Sequence, residues 1–150
     1  MMAGPESVAN AMVTLNSNSI TNIPGVVGAA AAAAIEGPQD FADEMCVEFS
    51  KKRDLVMQTM ARIELVSCPR PQGAFYAFPD ISAAFGKHHN GRPVADDVAF
   101  SELLLETKGV AVVPGSAFGE EKSIRISYAC PTEQLEDGLN RFSEFFNELV

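Results

Sequence analysis

Cysteine is scarce in this chain, and Cys46, Cys68 and Cys130 form neither an even set nor a Cys-x-x-Cys pair. That excludes a disulfide framework and a cysteine-built zinc site, and it points to a reducing compartment, the cytoplasm. With no histidine nearby in sequence, each cysteine reads as a small core residue rather than a nucleophile. Positive charge is also short. Eleven Lys+Arg against 20 Asp+Glu leave a net charge of -9, so no basic footprint for nucleic acid or an anionic membrane is expected. Long apolar runs are missing too: Ile23 to Ile35 is broken by Pro24, Gly25 and Gly28, falls short of the ~20 residues that cross a bilayer, and reads as a packed helix. No basic stretch followed by an apolar one opens the chain, so no signal peptide is expected. Gly-x-Gly-x-x-Gly, His-Glu-x-x-His, Gly-x-Ser-x-Gly and a phosphate loop ending in Gly-Lys-Ser/Thr are all absent, and with them the chemistries those motifs carry. His88 and His89 are adjacent but have no further ligand set at metal spacing, so no metal is expected.

What remains is a chain of 150 residues, 47% hydrophobic and 21% charged, enough to remove about 70% of its unfolded surface from water as one domain. Its elements can be read from periodicity. Pro5 to Leu15 places Val8, Met12 and Leu15 on one helical face, and the polar run from Asn16 to Asn22 follows, with Thr21 or Asn22 available to cap a second helix built on Ala29 to Ala34 and ended by Gly37. Pro38 opens a longer helix carrying Phe41, Met45, Phe49, Val56, Met60 and Ile63, with Lys51, Lys52 and Arg53 as a solvated basic cluster. After the turn-rich stretch from Pro69 to Gly73, Ala74 to Phe78 reads as an aromatic strand, and Gly86 to Pro93 as a polar loop. Asp96 or Asp97 caps a helix with Phe100, Leu103 and Leu104 inward, ended by Gly109. Val110 to Val113 and Ser123 to Tyr128 read as strands, and a last helix after Pro131 aligns Leu135, Leu139, Phe142, Phe146 and Leu149. Helices and strands mix without a βαβ repeat, so the expected class is α/β of the α+β kind: a small, mostly antiparallel sheet covered by helices.

Arg125 stands out. Alternation puts Ile124, Ile126 and Tyr128 on one face of the last strand and Arg125 and Ser127 on the other. A guanidinium there offers a rigid fork that matches a carboxylate in bidentate fashion; a surface salt bridge is the plainer account of the same residue. Pro114 to Gly119 is a glycine-bounded loop of the sort that presents ligand-contacting side chains or merely turns the chain. Acids are abundant, but none pairs with a base or nucleophile in a way that singles out a catalytic group, so no catalytic residue is expected.

Asn18-Ser19-Ile20-Thr21-Asn22, Glu36-Gly37-Pro38, Lys52-Arg53-Asp54, Gln72-Gly73-Ala74-Phe75-Tyr76, Gly109 to Gly119 and Ile124-Arg125-Ile126-Ser127-Tyr128-Ala129 occur in the order found in class I/II aminotransferases. From Ala3 onward the chain resembles the carboxy-terminal part of a fold-type-I pyridoxal-phosphate enzyme, similar to aspartate and prephenate aminotransferases. The resemblance implies a small domain, residues 1–150, that closes over the substrate of a cytoplasmic homodimer while a separate large domain binds pyridoxal 5'-phosphate. It implies amino-acid and 2-oxo-acid substrates, dicarboxylic ones among them, with Arg125 on the substrate α-carboxylate. Phe118 and Ser116 would turn toward the pocket, with Phe75 or Tyr76 behind it. Ser17, Ser19 and Thr21 would lie near the partner subunit's cofactor phosphate, helix capping being their other reading. The family's Schiff-base lysine has no counterpart among Lys51, Lys52, Lys87, Lys108 and Lys122, so the isolated chain is expected not to transaminate. Met1-Met2-Ala3 then reads as an artificial or internal start to a longer enzyme. The alternative is a stand-alone amino-acid-binding or protein-interaction module derived from such an enzyme.

Overall fold

A computed structural model describes residues 4–150. The chain divides into two compact units, Met1–Ala42 and Asp43–Val150. The first holds helices α1 (Glu6–Ser17) and α2 (Gly25–Glu36) and the opening residues of α3 (Asp40–Met60). Prolines begin α1 and α2, since Pro5 and Pro24 occupy the cap positions with φ near -54° and neither helix receives a side-chain cap. The expected cap at Thr21 or Asn22 is therefore corrected: α2 starts later, at the residue after Pro24. No residue of α1 or α2 is buried, which also corrects the packed interior expected for the alanine run. Alanine has the propensity to hold this helix but little side chain to bury.

The second unit carries the core. β1 (Tyr76–Ala77), β5 (Ile124–Ser127) and β4 (Val113–Pro114) form an antiparallel sheet in the order β1-β5-β4. Ile124 and Ile126 point inward against α4 (Asp97–Lys108) and α5 (Thr132–Asn147), whose Phe100 ring meets those of Phe142, Phe145 and Phe146 at 6.0, 5.2 and 6.3 Å. The core also takes Val56 and Met60 from α3 and every residue of the stripe expected on the last helix. The mostly antiparallel, helix-covered sheet is thus the architecture observed.

Two local expectations change. Gly86 to Pro93 is a hairpin of β2 (His88–His89) and β3 (Arg92–Pro93), turned by Asn90 and Gly91, both with positive φ, the signature of a two-residue hairpin turn. The strand expected from Val110 contributes only Val113 and Pro114 to the sheet. In α3, Lys52 and Arg53 are half-buried rather than fully solvated, and Lys52 Nζ donates to Cys130 O at 2.8 Å.

A candidate carboxylate-binding site on the sheet

Arg125 sits on the central strand of the three, with Val113 of β4 opposite it. Tyr76 pairs with Ser127, which places Tyr76 diagonally across the sheet from Arg125 on the same face, within reach of an aromatic side chain. The Arg125 Cζ lies 4.6 Å from the Tyr76 ring centroid and 4.6 Å from that of Phe118. These rings pair with different neighbours, Tyr76 with Phe75 at 4.4 Å and Phe118 edge-on with Phe78 at 6.0 Å. The guanidinium is thus flanked by π-faces, an arrangement that attracts the cation and restricts its rotation. Its Nε is buried without a hydrogen-bond partner, and none of the described acids forms an ion pair with it. Buried donors are normally satisfied, so an unpartnered one on a charged group is unusual. A guanidinium of this kind offers a fork of N–H donors whose geometry matches a carboxylate.

The turn Gly115–Phe118 brings Phe118 to that position. It follows β4 directly and closes through Gly115 N to Ser123 O at 2.8 Å and Glu120 N to Gly115 O at 3.1 Å. Asp97 accepts the Ser116 amide on Oδ2 at 2.7 Å. Burial pushes the Asp97 carboxyl up, but the Ser116 amide and hydroxyl and the amides of Asp97 and Val98 outweigh it and hold the group below the usual carboxylate range. On the other side, the Tyr128 hydroxyl donates to Ala74 O at 3.2 Å and the Tyr128 amide to Phe75 O at 3.0 Å, fixing the backbone just before Tyr76.

Of the residues singled out in the sequence, Arg125, Phe118 and Tyr76 come together, while Ser116 contributes its amide to Asp97 and leaves its side chain exposed. Phe75 stacks on Tyr76 from outside. Ser19 and Thr21 belong to the other unit; the Ser19 hydroxyl donates to Leu15 O at 2.9 Å, and Thr21 adopts a left-handed backbone, φ 67°, that β-branched residues rarely take. Asp97 and Phe78 were not singled out as site residues, because their contacts join positions far apart in sequence and no local pattern marks them. A groove of about 410 Å³ lies elsewhere, along Val110, Val112, Leu135 and Leu139, and does not include Arg125.

The sequence pattern that defines the aminotransferase class I and II family matches residues 1–142. The chain belongs to that family. It is 42% identical over 144 residues to the aspartate/prephenate aminotransferase of Cereibacter sphaeroides, covering 95% of this chain and 36% of that protein. To the aspartate aminotransferase of Streptomyces avermitilis it is 38% identical, covering 97% of this chain and 36% of that protein. In three dimensions it matches the crystal structure of the aspartate aminotransferase from Rhizobium meliloti with a TM-score of 0.91 and 36% identity, over 99% of this chain and 37% of that one. The chain therefore spans about 36% of the length of these relatives.

The family works with pyridoxal phosphate, whose chemistry needs a lysine anchor and a phosphate cradle. The described lysines offer neither: Lys51 pairs with Glu48 at 2.7 Å, Lys52 holds a backbone carbonyl and Lys108 pairs with Glu148 at 2.6 Å. The Lys87 and Lys122 side chains form no hydrogen bond or ion pair among the described residues, and neither stands in the sheet with Arg125. The residues present do not by themselves fit the cofactor, and no step through it is derived from them.

Proposed function

We propose that this chain is the substrate-closing carboxy-terminal domain, residues 1–150, of a pyridoxal-phosphate-dependent aminotransferase, and that Arg125 binds the α-carboxylate of its amino-acid and 2-oxo-acid substrates. The observation that carries the reading is the Arg125 guanidinium itself: flanked by Tyr76 and Phe118, with a buried Nε lacking an acceptor and no acid paired to it. With two rings against the guanidinium, its N–H fork is held for a ligand, and it matches a carboxylate in two parallel hydrogen bonds. A transaminase must hold the bond from Cα to hydrogen in one orientation while the proton leaves. A bidentate clamp on the neighbouring carboxylate fixes that orientation. Phe118 and Tyr76 restrict the rotation of the guanidinium and so hold the clamp in one orientation. The net charge of -9 opposes an anionic substrate only weakly, because exposed charges beyond about 8 Å are screened at physiological salt.

The names of the relatives favour a dicarboxylic donor such as aspartate. The second carboxylate would be read by the remainder of the enzyme or by the partner subunit of a homodimer. Ser19 and Thr21 belong to the same reading as contacts to the cofactor phosphate in that assembly, Thr21 with its hydroxyl unengaged among the described residues. Three free thiols suit the cytoplasm. With no lysine in the anchoring role, the chain alone does not transaminate.

The test is Arg125→Leu in the full-length protein, assayed with aspartate as donor and a 2-oxo acid as acceptor. Losing one partner of a desolvated charge pair costs about 2 to 5 kcal/mol, so KM for both carboxylate substrates rises at least about 30-fold. An unchanged KM would remove Arg125 from the site, and turnover by residues 1–150 alone would overturn the reading of this chain as the partner of a separate cofactor domain.

A further inference from the structure

Asp97 is the one carboxylate in the buried class among the described residues, 2% exposed, and no described cation pairs with it. Burying an unpaired charge is costly unless hydrogen bonds replace its water. Asp96 caps α4 by accepting the Ala99 amide at 2.8 Å, and the amides of Asp97 and Val98 at the start of the helix favour the Asp97 carboxylate as well. The contact that reaches beyond the helix is the Ser116 amide, 19 positions away in sequence, which Asp97 accepts at 2.7 Å. That amide lies in the middle of Gly115–Phe118, and the far end of this turn carries the ring that stands 4.6 Å from the Arg125 Cζ.

The base of the turn is tied by Gly115 N to Ser123 O and by Glu120 N to Gly115 O, and its exit by Gly119 N to Ser116 O at 3.1 Å; at its middle, where Ser116, Ala117 and Phe118 are exposed, the Ser116 amide is held by Asp97. Phe118 therefore owes its place to the backbone beneath it and to edge contact with Phe78 at 6.0 Å. We propose that Asp97 is a positioning residue of the carboxylate clamp: by accepting the Ser116 amide it holds the 115–118 turn so that Phe118 lies over Arg125. The inference rests on the reading of Arg125 as the substrate's carboxylate ligand. It adds that the ligand's affinity is set in part by a carboxylate at the start of α4 that contacts no substrate. The opposed contributions to the Asp97 carboxyl agree with this, its amide partners outweighing burial.

The test uses the full-length protein with Arg125→Leu, Asp97→Ala, Asp97→Asn, Phe118→Ala and the Asp97→Ala/Phe118→Ala double variant, each assayed for KM and kcat against aspartate. Asp97→Ala is expected to raise KM roughly 10- to 150-fold with a smaller change in kcat, the range for a lost hydrogen bond to a charged group. Asp97→Asn keeps an oxygen that can accept the Ser116 amide and is expected to recover most of the affinity. In the Phe118→Ala background the Asp97 substitution is expected to add little, because the ring it positions is gone. Additive effects in that double variant, or a wild-type KM in Asp97→Ala, would overturn the inference. Should Asp97→Ala not yield folded protein, Asp97→Glu carries the same test, keeping the charge while displacing the oxygen by one methylene; a wild-type KM there overturns it equally. If Arg125→Leu leaves KM unchanged, it is the clamp assignment that fails, which separates the two ideas.

Discussion

At the scale of single residues, the site depends on one glycine for a reason of space rather than conformation. A Cβ on Gly115 would stand 2.1 Å from Glu120 O and 2.3 Å from Ser123 O, both backbone atoms of the turn that carries Phe118. Neither can move without breaking the hydrogen bonds that Gly115 makes to those residues. Gly119, which ends the turn, has φ of 81° and nothing near its missing Cβ, so its constraint is conformational alone. Gly115→Ala is therefore expected to destabilise by about 3 kcal/mol or more, as overpacking against rigid backbone does, and Gly119→Ala by about 1 to 2 kcal/mol, the scale of left-handed strain at one residue. Urea unfolding of the two variants checks the order; a smaller loss at 115 than at 119 would mean that the turn can open. Arg125 itself was legible in the sequence, because period-2 alternation on a short strand puts an arginine opposite two isoleucines. Its stacking partners were legible only through the family resemblance, since Tyr76, Phe118 and Arg125 meet by strand pairing and a turn that no local pattern encodes. Asp97 was read merely as a possible cap, and the choice between it and Asp96 is made by the distant Ser116 amide.

Among the elements, α5 was the most legible, its five-residue apolar stripe entering the core complete. The β2–β3 hairpin was missed although Asn90-Gly91 is a strong two-residue turn signal, because two-residue strands give periodicity nothing to detect. That hairpin is tied to the end of the chain: His88 N donates to Val150 O at 2.8 Å, His89 Nε2 and Glu148 Oε2 lie 2.9 Å apart, and the His89 and Phe145 ring centroids are 4.8 Å apart. Glu148 also receives Lys108 Nζ from the end of α4, at 2.6 Å. The hydrogen bond from Lys108, with that of His89, holds the Glu148 carboxyl below its ordinary 4.5, and the same bond raises Lys108 above its ordinary 10.5. A carboxyl whose folded value is depressed stabilises the fold above its unfolded value and loses that effect as pH falls; an amine whose folded value is raised stabilises below its unfolded value and loses that effect only as pH rises past it. The pairing is thus complete from about pH 5 to about pH 10 and fades below 4.5. Thermal unfolding of Lys108→Met beside the parent should show the variant less stable at neutral pH, with the two curves converging as pH falls below 4.5. A difference that persists undiminished in acid would show that Lys108 acts through packing of its stem and not through Glu148.

Taken whole, the chain is uneven in what it buries. The 43–150 unit contains the entire core, whereas α1 and α2, of 12 residues each, bury none of theirs. Val13, Leu15, Val26 and Ile35 are each more than 65% exposed. The sequence could not reveal this, because an alanine-rich helix and an amphipathic one have the same pattern whether or not a neighbour covers them. On the proposed reading the neighbour is the rest of the enzyme and its partner subunit. Helices of this length that bury no side chain are held by propensity and end effects alone, which in water is marginal. Amide hydrogen exchange of the 150-residue chain should therefore separate the two units. α1 and α2 should exchange with opening free energies near zero, and the amides of β5 and α5 should open only with global unfolding, at about 5 kcal/mol or more. On the proposed reading, the same α1 and α2 amides should become protected in the full-length dimer. The competing outcome has a distinct signature. If α1 and α2 are already protected in the isolated chain, and that protection grows with protein concentration, their apolar faces are covered by copies of the chain itself. That result would favour the interaction-module alternative over a domain awaiting the remainder of its enzyme.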